Sequence, residues 1–375
     1  QWRKTLTSIA ENPGCCDEIW FSSGETNPSL EGQRAQARRI ATAMDDVRKL
    51  GIVPSLQIES TIGHGDQFIG GREAETWYKE WRGWTGSTGV ECRYCNCPRQ
   101  PGFLAYMRET ARIFAELKPH GFWIDDDLRY RNHRPATDSS RFGCWCPDCI
   151  AAYNVRTGKS WTRVTLDRAM ATDPALEADW LNFSSDSLSG VARAIAEAFR
   201  ETSPDTLMGL QFSQAPNSTN NAARILRALA AASGRPVGGR TGGGAYSDLN
   251  PNNPVCKSFW SARCIRMLNL GDLVSDWCPE IESYPRAYAT RSARGILLEG
   301  FAALGWGFES LSMLVLDWRS EPDEFYSRAI LRPLAEARPF LADYRKANEG
   351  SEPAGFDIDI RPEQWDTVQP FIVAG

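Results

Sequence analysis

The chain has 375 residues, 42% of them hydrophobic, which is enough to bury the core of one large barrel or of two domains. Its formal net charge is -5 with both signs interspersed, so no basic patch argues for nucleic acid. No apolar run approaches the ~20 residues of a membrane span, and no signal peptide is visible, so a cytoplasmic protein is expected.

The N-terminus, Gln1 without Met, reads as processed or incomplete. Residues 1–11 read as a helix ended by Asn12-Pro13-Gly14. Residues 18–22 read as a short buried strand, 27–50 as a helix stopped by Gly51, and 52–58 as the next strand. That strand leaves His64 and Asp66 in its exit loop. An insertion over 67–100 is rich in Trp, Gly and Cys. A helix over 103–117 then returns the chain to Gly121-Phe-Trp-Ile124, a buried strand that delivers Asp125, Asp126 and Asp127 at its end. Three adjacent carboxylates repel, so an apolar strand that ends on them suggests a site rather than a solvated loop.

The stretch 129–181 reads as a long insertion with short helices. Helices follow at 185–202, 220–232, 257–268, 286–304 and 324–346. Between them lie strands at 206–212, 236–240, 272–278 and 312–316. Polar residues sit after the strands: Glu280 and Glu282 after the third of these, Asp317 and Trp318 after the fourth. Strand and helix alternate throughout, which predicts an α/β (β/α)8 TIM barrel over 1–348. The first barrel strand is expected upstream of Gln1 or from the tail. On the first reading the strand at Glu18 is the second barrel strand, that at Gly121 the fourth and that at Asp272 the seventh. Residues 349–375 read as the start of a second α/β domain or a C-terminal extension. A doubly wound open sheet is the competing fold, but no Gly-rich phosphate fingerprint follows an early strand.

Six of the 11 cysteines fall in two knots, Cys92/Cys95/Cys97 and Cys144/Cys146/Cys149. This spacing suits thiolates converging on one metal better than disulfides. Four thiolates leave no open position for water, so the metal is read as structural. A zinc deaminase would need an H-x-E partner, which is missing. Cys15 and Cys16 read as buried thiols, and Cys256, Cys264 and Cys278 show no pattern.

Carboxylates at two non-adjacent strand ends are what a glycosidase needs: one donates a proton to the leaving oxygen, the other attacks or activates water. Here the chain resembles the clan of (β/α)8 retaining glycoside hydrolases, nearest to the family 42 β-galactosidases. Ile124-Asp125-Asp126-Asp127 falls where that family has Asp-Asn-Glu, Glu282-Ser-Tyr-Pro285 matches the nucleophile that precedes a Pro by three, and Cys144-Trp-Cys146-Pro-Asp-Cys149 has the family's zinc-ligand spacing. The resemblance implies Glu282 as nucleophile, Asp127 as acid/base with Asp126 as the substitute acid, and a structural zinc on Cys144, Cys146, Cys149 and one of Cys92, Cys95 or Cys97, with Cys97 chosen. It also implies a homo-oligomer, a trimer or dimer. The sequence departs from the family in two places: Asp127 replaces a Glu and Asp126 an Asn. Around the acids, Asp125, Glu280, His64, Asp66, Asp317, Trp277 and Trp318 are expected to meet a carbohydrate substrate. Trp123 joins Trp277 and Trp318 as a stacking candidate at a strand end. Arg129, with Arg131 and His133, is expected to neutralise the surplus aspartates or to bind an acidic sugar. A non-catalytic sugar-binding barrel and a metal-dependent hydrolase are the rival readings.

Overall fold

The structure is a computed structural model. It describes residues 2–24, 27–63, 80–130, 141–213, 216–249, 252–283, 290–316 and 324–351. In chain order the elements are α1 (Trp2–Ala10), β1 (Glu18–Ser22), α2 (Leu30–Lys49), β2 (Val53–Ile58), β3 (Gly83–Thr85), β4 (Glu91–Asn96), α3 (Pro101–Ala115) and β5 (Gly121–Ile124). Then come α4 (Pro147–Thr157), α5 (Arg163–Met170), α6 (Pro174–Thr202), β6 (Leu207–Ser213), α7 (Pro216–Ser233) and β7 (Val237–Gly242). The last are α8 (Asn252–Leu268), β8 (Val274–Glu282), α9 (Ala293–Gly305), β9 (Ser312–Leu314) and α10 (Glu324–Asn348).

Seven strands form one parallel sheet in the order β1-β2-β5-β6-β7-β8-β9. Apart from the separate β3–β4 hairpin, every strand neighbours the next in sequence. A doubly wound sheet would reverse its order at a switch point; this one never does, so the fold is the (β/α)8 barrel. The expected tail domain lies almost wholly in residues outside those described.

The chain divides into two compact units. One holds Glu18–Gly239 and Leu270–Ser275; the other holds Gln1–Asp17, Arg240–Asn269 and Asp276–Gly375. In the first, β1, β2, β5 and β6 pair in parallel, with Leu56 opposite Phe122 and Phe122 opposite Met208. In the second, β8 and β9 pair in parallel, Glu280 opposite Ser312 and Glu282 opposite Leu314.

Among the boundaries that move, three are informative. Helix α6 begins at Pro174, 11 residues ahead of the expected Ser185. Its Ser-rich middle suits a helix because Ser185 and Ser187 return their hydroxyls to the carbonyls of Leu181 and Phe183, so the polar groups are satisfied within the helix. Asp173 caps the true start by accepting from Ala175 and Leu176. Strand β8 runs on through Pro279 to Glu282, past the expected end at Cys278. A proline is tolerated there because the ladder to β9 opens only at Glu280, one residue later. Helix α9 starts at Ala293, not Arg286, on a Ser292 cap that accepts from Gly295. Within 129–181, α4, α5 and the first half of α6 build their own core from Trp145, Ile150, Tyr153, Leu166, Met170, Trp180 and Phe183.

Candidate active site and metal centre

Strand alternation decides what β5 presents. Phe122 turns to the helices and packs on Phe199 at 4.2 Å and Phe114 at 6.4 Å. Gly121, Trp123 and Asp125 share the opposite, barrel-interior face. Trp123 is 1% exposed and stacks on Trp20 of β1, ring centres 4.2 Å apart. Glycines in the next two strands make room for it. A Cβ at Gly209 would lie 2.2 Å from the Trp123 ring, and one at Gly238 2.5 Å from it. The indole expected to stack on sugar is thus a packed interior residue.

Directly after this layer come the three aspartates. Their carboxylate oxygens can lie within 4.8 Å of one another. Asp127 is 1% exposed. Charges this close and this buried need compensation. Arg129 supplies part of it: one of its guanidinium nitrogens lies 2.8 Å from Asp126 and donates to Ser213 Oγ of β6, also at 2.8 Å. Gln211, on the same face of β6 as Gly209 and Ser213, is 1% exposed, and neither end of its carboxamide has a hydrogen-bond partner among the described residues. No motif marks it; only its place two residues before Ser213 on an interior face does.

The second unit repeats the logic on β8. Ile281 is fully buried against Ile296, Val315, Ile330 and Leu334. Glu280 and Glu282, one residue to either side, therefore face away from the helices. Glu280 is buried and pairs with Arg240 of β7 at 3.0 Å. The strands approach closely there, since a Cβ at Gly242 would lie 2.4 Å from that of Glu280. Tyr246 adjoins both glutamates. Burial, then the charge of Glu280, pushes its phenol well above the ordinary value. The Lys257 ammonium sits 5.2 Å from the Tyr246 ring centre and 3.1 Å from Glu299, which also pairs with the fully buried Arg291. Arg291 in turn donates to the Glu282 carbonyl at 3.4 Å.

The candidate metal centre is compact. Sulfur atoms of Cys97, Cys144, Cys146 and Cys149 all lie within 4.8 Å of one another, and all four residues are buried. Cys97 Sγ stands 3.7 Å from Cys146 Sγ and 3.5 Å from Cys149 Sγ. A tetrahedral zinc with bonds of about 2.3 Å sets sulfurs roughly 3.8 Å apart, so the donor set fits zinc. Local structure explains the convergence. Cys97 follows β4, Cys146 is the N-cap of α4 and Cys149 lies in its first turn, where the helix dipole favours thiolate. The backbone N–H of Thr85 in β3 points at Cys144 Sγ, 3.5 Å away, and Trp145 N–H donates back to the Thr85 carbonyl. Cys92 and Cys95 are buried but lie outside this cluster.

No protein-family model matches the chain, and no curated protein does. Solved structures do. A β-galactosidase from the Antarctic haloarchaeon Halorubrum lacusprofundi superposes with TM-score 0.57 at 16% identity, over 96% of this chain and 57% of that one. A family GH42 β-galactosidase from G. stearothermophilus gives 0.58 at 12%, over 98% and 60%. The catalytic domain of a β-amylase from Paenibacillus polymyxa gives 0.55 at 13%, over 88% and 94%. The chain carries a glycosidase-like barrel. It spans a little over half the length of the two β-galactosidases, and at these identities the likeness is one of fold.

On this barrel the expected site residues fall into three groups. Asp125, Asp126, Asp127 and Arg129 come together in the first unit; Glu280 and Glu282 share a face in the second. Trp277 has the parity of Ile281 in β8. Its backbone exchanges hydrogen bonds with Glu309, accepting from Glu309 N–H at 3.1 Å and donating to the carboxylate at 2.6 Å. His64, Asp66, Asp317, Trp318, Arg131 and His133 lie outside the described residues. Gln211, Arg240 and Tyr246 are additions that sequence reasoning missed.

Proposed function

We propose that this chain hydrolyses glycosidic bonds as a retaining exo-glycosidase of β-galactosidase type. The observation that carries the reading is the delivery of carboxylates at the C-terminal ends of two non-adjacent barrel strands, with Asp125 on the interior face of β5 and Glu280 and Glu282 on the face of β8 turned away from the helices. In this reading Glu282 attacks the anomeric carbon while an aspartate protonates the leaving oxygen. That aspartate then acts as base on water. Arg129 balances the charge of Asp126, which suits Asp126 to accept hydrogen bonds from sugar hydroxyls and leaves Asp127 as the proton donor. Gln211, able to donate and accept at once, is suited to a sugar hydroxyl. The guanidinium on Asp126 supplies positive charge that a metal-dependent hydrolase would draw from an ion, which favours the glycosidase reading. Zinc on the four cysteines is proposed as structural, since a closed thiolate set supplies no site for water.

The burial of Asp127 favours one second reading, a sugar-binding barrel that no longer turns over. A panel of aryl galactosides, glucosides, mannosides, arabinosides, fucosides and uronides separates the two. The wild type is expected to cleave at least one, Glu282→Gln to fall to background, and Asp127→Asn to lose roughly 10²–10⁴-fold. Full-rate turnover by Glu282→Gln overturns the nucleophile assignment. Binding without cleavage across the panel supports the second reading. The anomer first released, seen by proton NMR, tests retention.

A further inference from the structure

We propose that Cys15 and Cys16 form a chelating dithiol site for a soft, thiophilic centre of the trivalent arsenical class. The other nine cysteines are buried; these two are partly exposed, contrary to the expectation from sequence. They sit in the turn that leaves α1, where the Asn12 side chain donates to the Ser8 carbonyl and Cys15 N–H donates to the Asn12 carbonyl. Their sulfurs are 4.0 Å apart. Two sulfurs bound to one pyramidal arsenic centre stand somewhat closer than this, so a small closing movement is needed to chelate. A disulfide fits less well. Adjacent Cα atoms are about 3.8 Å apart across a trans peptide, short of the roughly 4.4–6.8 Å that relaxed disulfides use. This spacing favours the reduced pair over the bridge.

Hydrogen bonding within the pair favours a thiolate at Cys15. The Arg338 side chain of α10 lies against Gly14, 3.4 Å from where a Cβ would stand, and pairs with Asp17. The hydrogen bond between the two sulfurs holds Cys15 below the ordinary thiol value, against burial and the charge of Asp17, and pushes Cys16 above it. The chemistry balances without an oxidant. Each thiol sulfur forms one bond to arsenic, the arsenic–oxygen double bond of an organoarsenic(III) oxide is lost, and the two thiol protons leave with that oxygen as water.

The test is intact-mass spectrometry of the zinc-loaded protein with one equivalent of phenylarsine oxide. One adduct per chain is expected, stable to a monothiol and removed by a 1,2-dithiol. Proteolytic mapping of the wild-type adduct is expected to place it on the fragment carrying Cys15 and Cys16. Cys15→Ser and Cys16→Ser should each lose it, while Cys256→Ser keeps it. No adduct on the folded wild type, or an adduct mapped to another fragment, overturns the proposal. Mapping needs no variant, so misfolding of a substituted chain does not blur the result.

Discussion

Trp123 is the residue around which the barrel interior of the first unit is arranged, and its glycine neighbours make the clearest test of that packing. The ring is rigid and has no open side, so Gly209→Ala must displace it. The substitution is expected to cost about 1–3 kcal/mol, read as a lower midpoint in urea unfolding. Gly190, in the middle of α6, is the contrast: nothing stands within 4 Å of a Cβ there. Gly190→Ala is expected to stabilise by up to about 1 kcal/mol in the same assay, since alanine has the better helix propensity. At this scale the sequence is informative where chemistry is concentrated and silent where it depends on neighbours. Three aspartates after an apolar strand are visible in any reading. Gly209 and Gly238 are ordinary glycines until an indole from another strand fills the space above them. Gln211 likewise has no local signal, because its meaning lies in a buried carboxamide without a hydrogen-bond partner among the described residues.

Among the elements, β8 shows how one residue type misleads. Pro279 marks a strand end by the usual rule, yet here it precedes the ladder to β9, and the acids lie inside or at the last residue of the strand. The other end of β8 carries a pH-dependent element. Burial raises the Glu309 carboxyl above its ordinary value, although the Trp277 N–H bond acts the other way. The folded state then holds that proton more tightly than the unfolded chain does, so stability falls as pH rises through the folded value and the cost is fully present at neutral pH. Glu309→Gln, which keeps an acceptor for Trp277, is expected to raise the Tm at pH 7. The gain should shrink as pH falls towards the ordinary carboxylate range. An equal gain at pH 4 and pH 7 would count against the charge as the cause.

The cysteine cluster acts on two elements together, the β3–β4 hairpin and α4. Elemental analysis is expected to find about one zinc per chain in the wild type and almost none in Cys97→Ser. The variant should also lose stability. Binding to the folded state alone contributes about 4 kcal/mol when free zinc exceeds Kd 1,000-fold. A Cys97→Ser chain that holds zinc with unchanged Tm would remove Cys97 from the set. The C-x-C-x-x-C spacing was readable as a ligand motif. The hairpin gives a physical reason for Cys97 over Cys92 and Cys95, because of the three it is the residue just past β4 that lies with the start of α4.

For the whole molecule, strand–helix alternation sufficed to read the fold, since each βα unit is local and its strand pairs with the next one made. The insertions were harder. Residues 129–181 carry few regular apolar repeats, and their helices gain a core only by packing on one another. Function follows the same gradient: a barrel with acids at strand ends was legible, while the pairing of Arg240 with Glu280 and the place of Tyr246 beside it depend on contacts no spacing encodes.

The packing of α1 against α10 has a consequence for biosynthesis. The ion pair between Asp17 and Arg338 joins residues 321 positions apart. At roughly 5–20 residues per second, the ribosome delivers the second partner about 16–64 s after the first. A nine-residue helix is marginal on its own in water, so α1 spends that interval without a lasting fold. Its apolar side is thus a segment for chaperones to shield during translation, and the N-terminal turn with its two thiols is among the last parts of the protein to close.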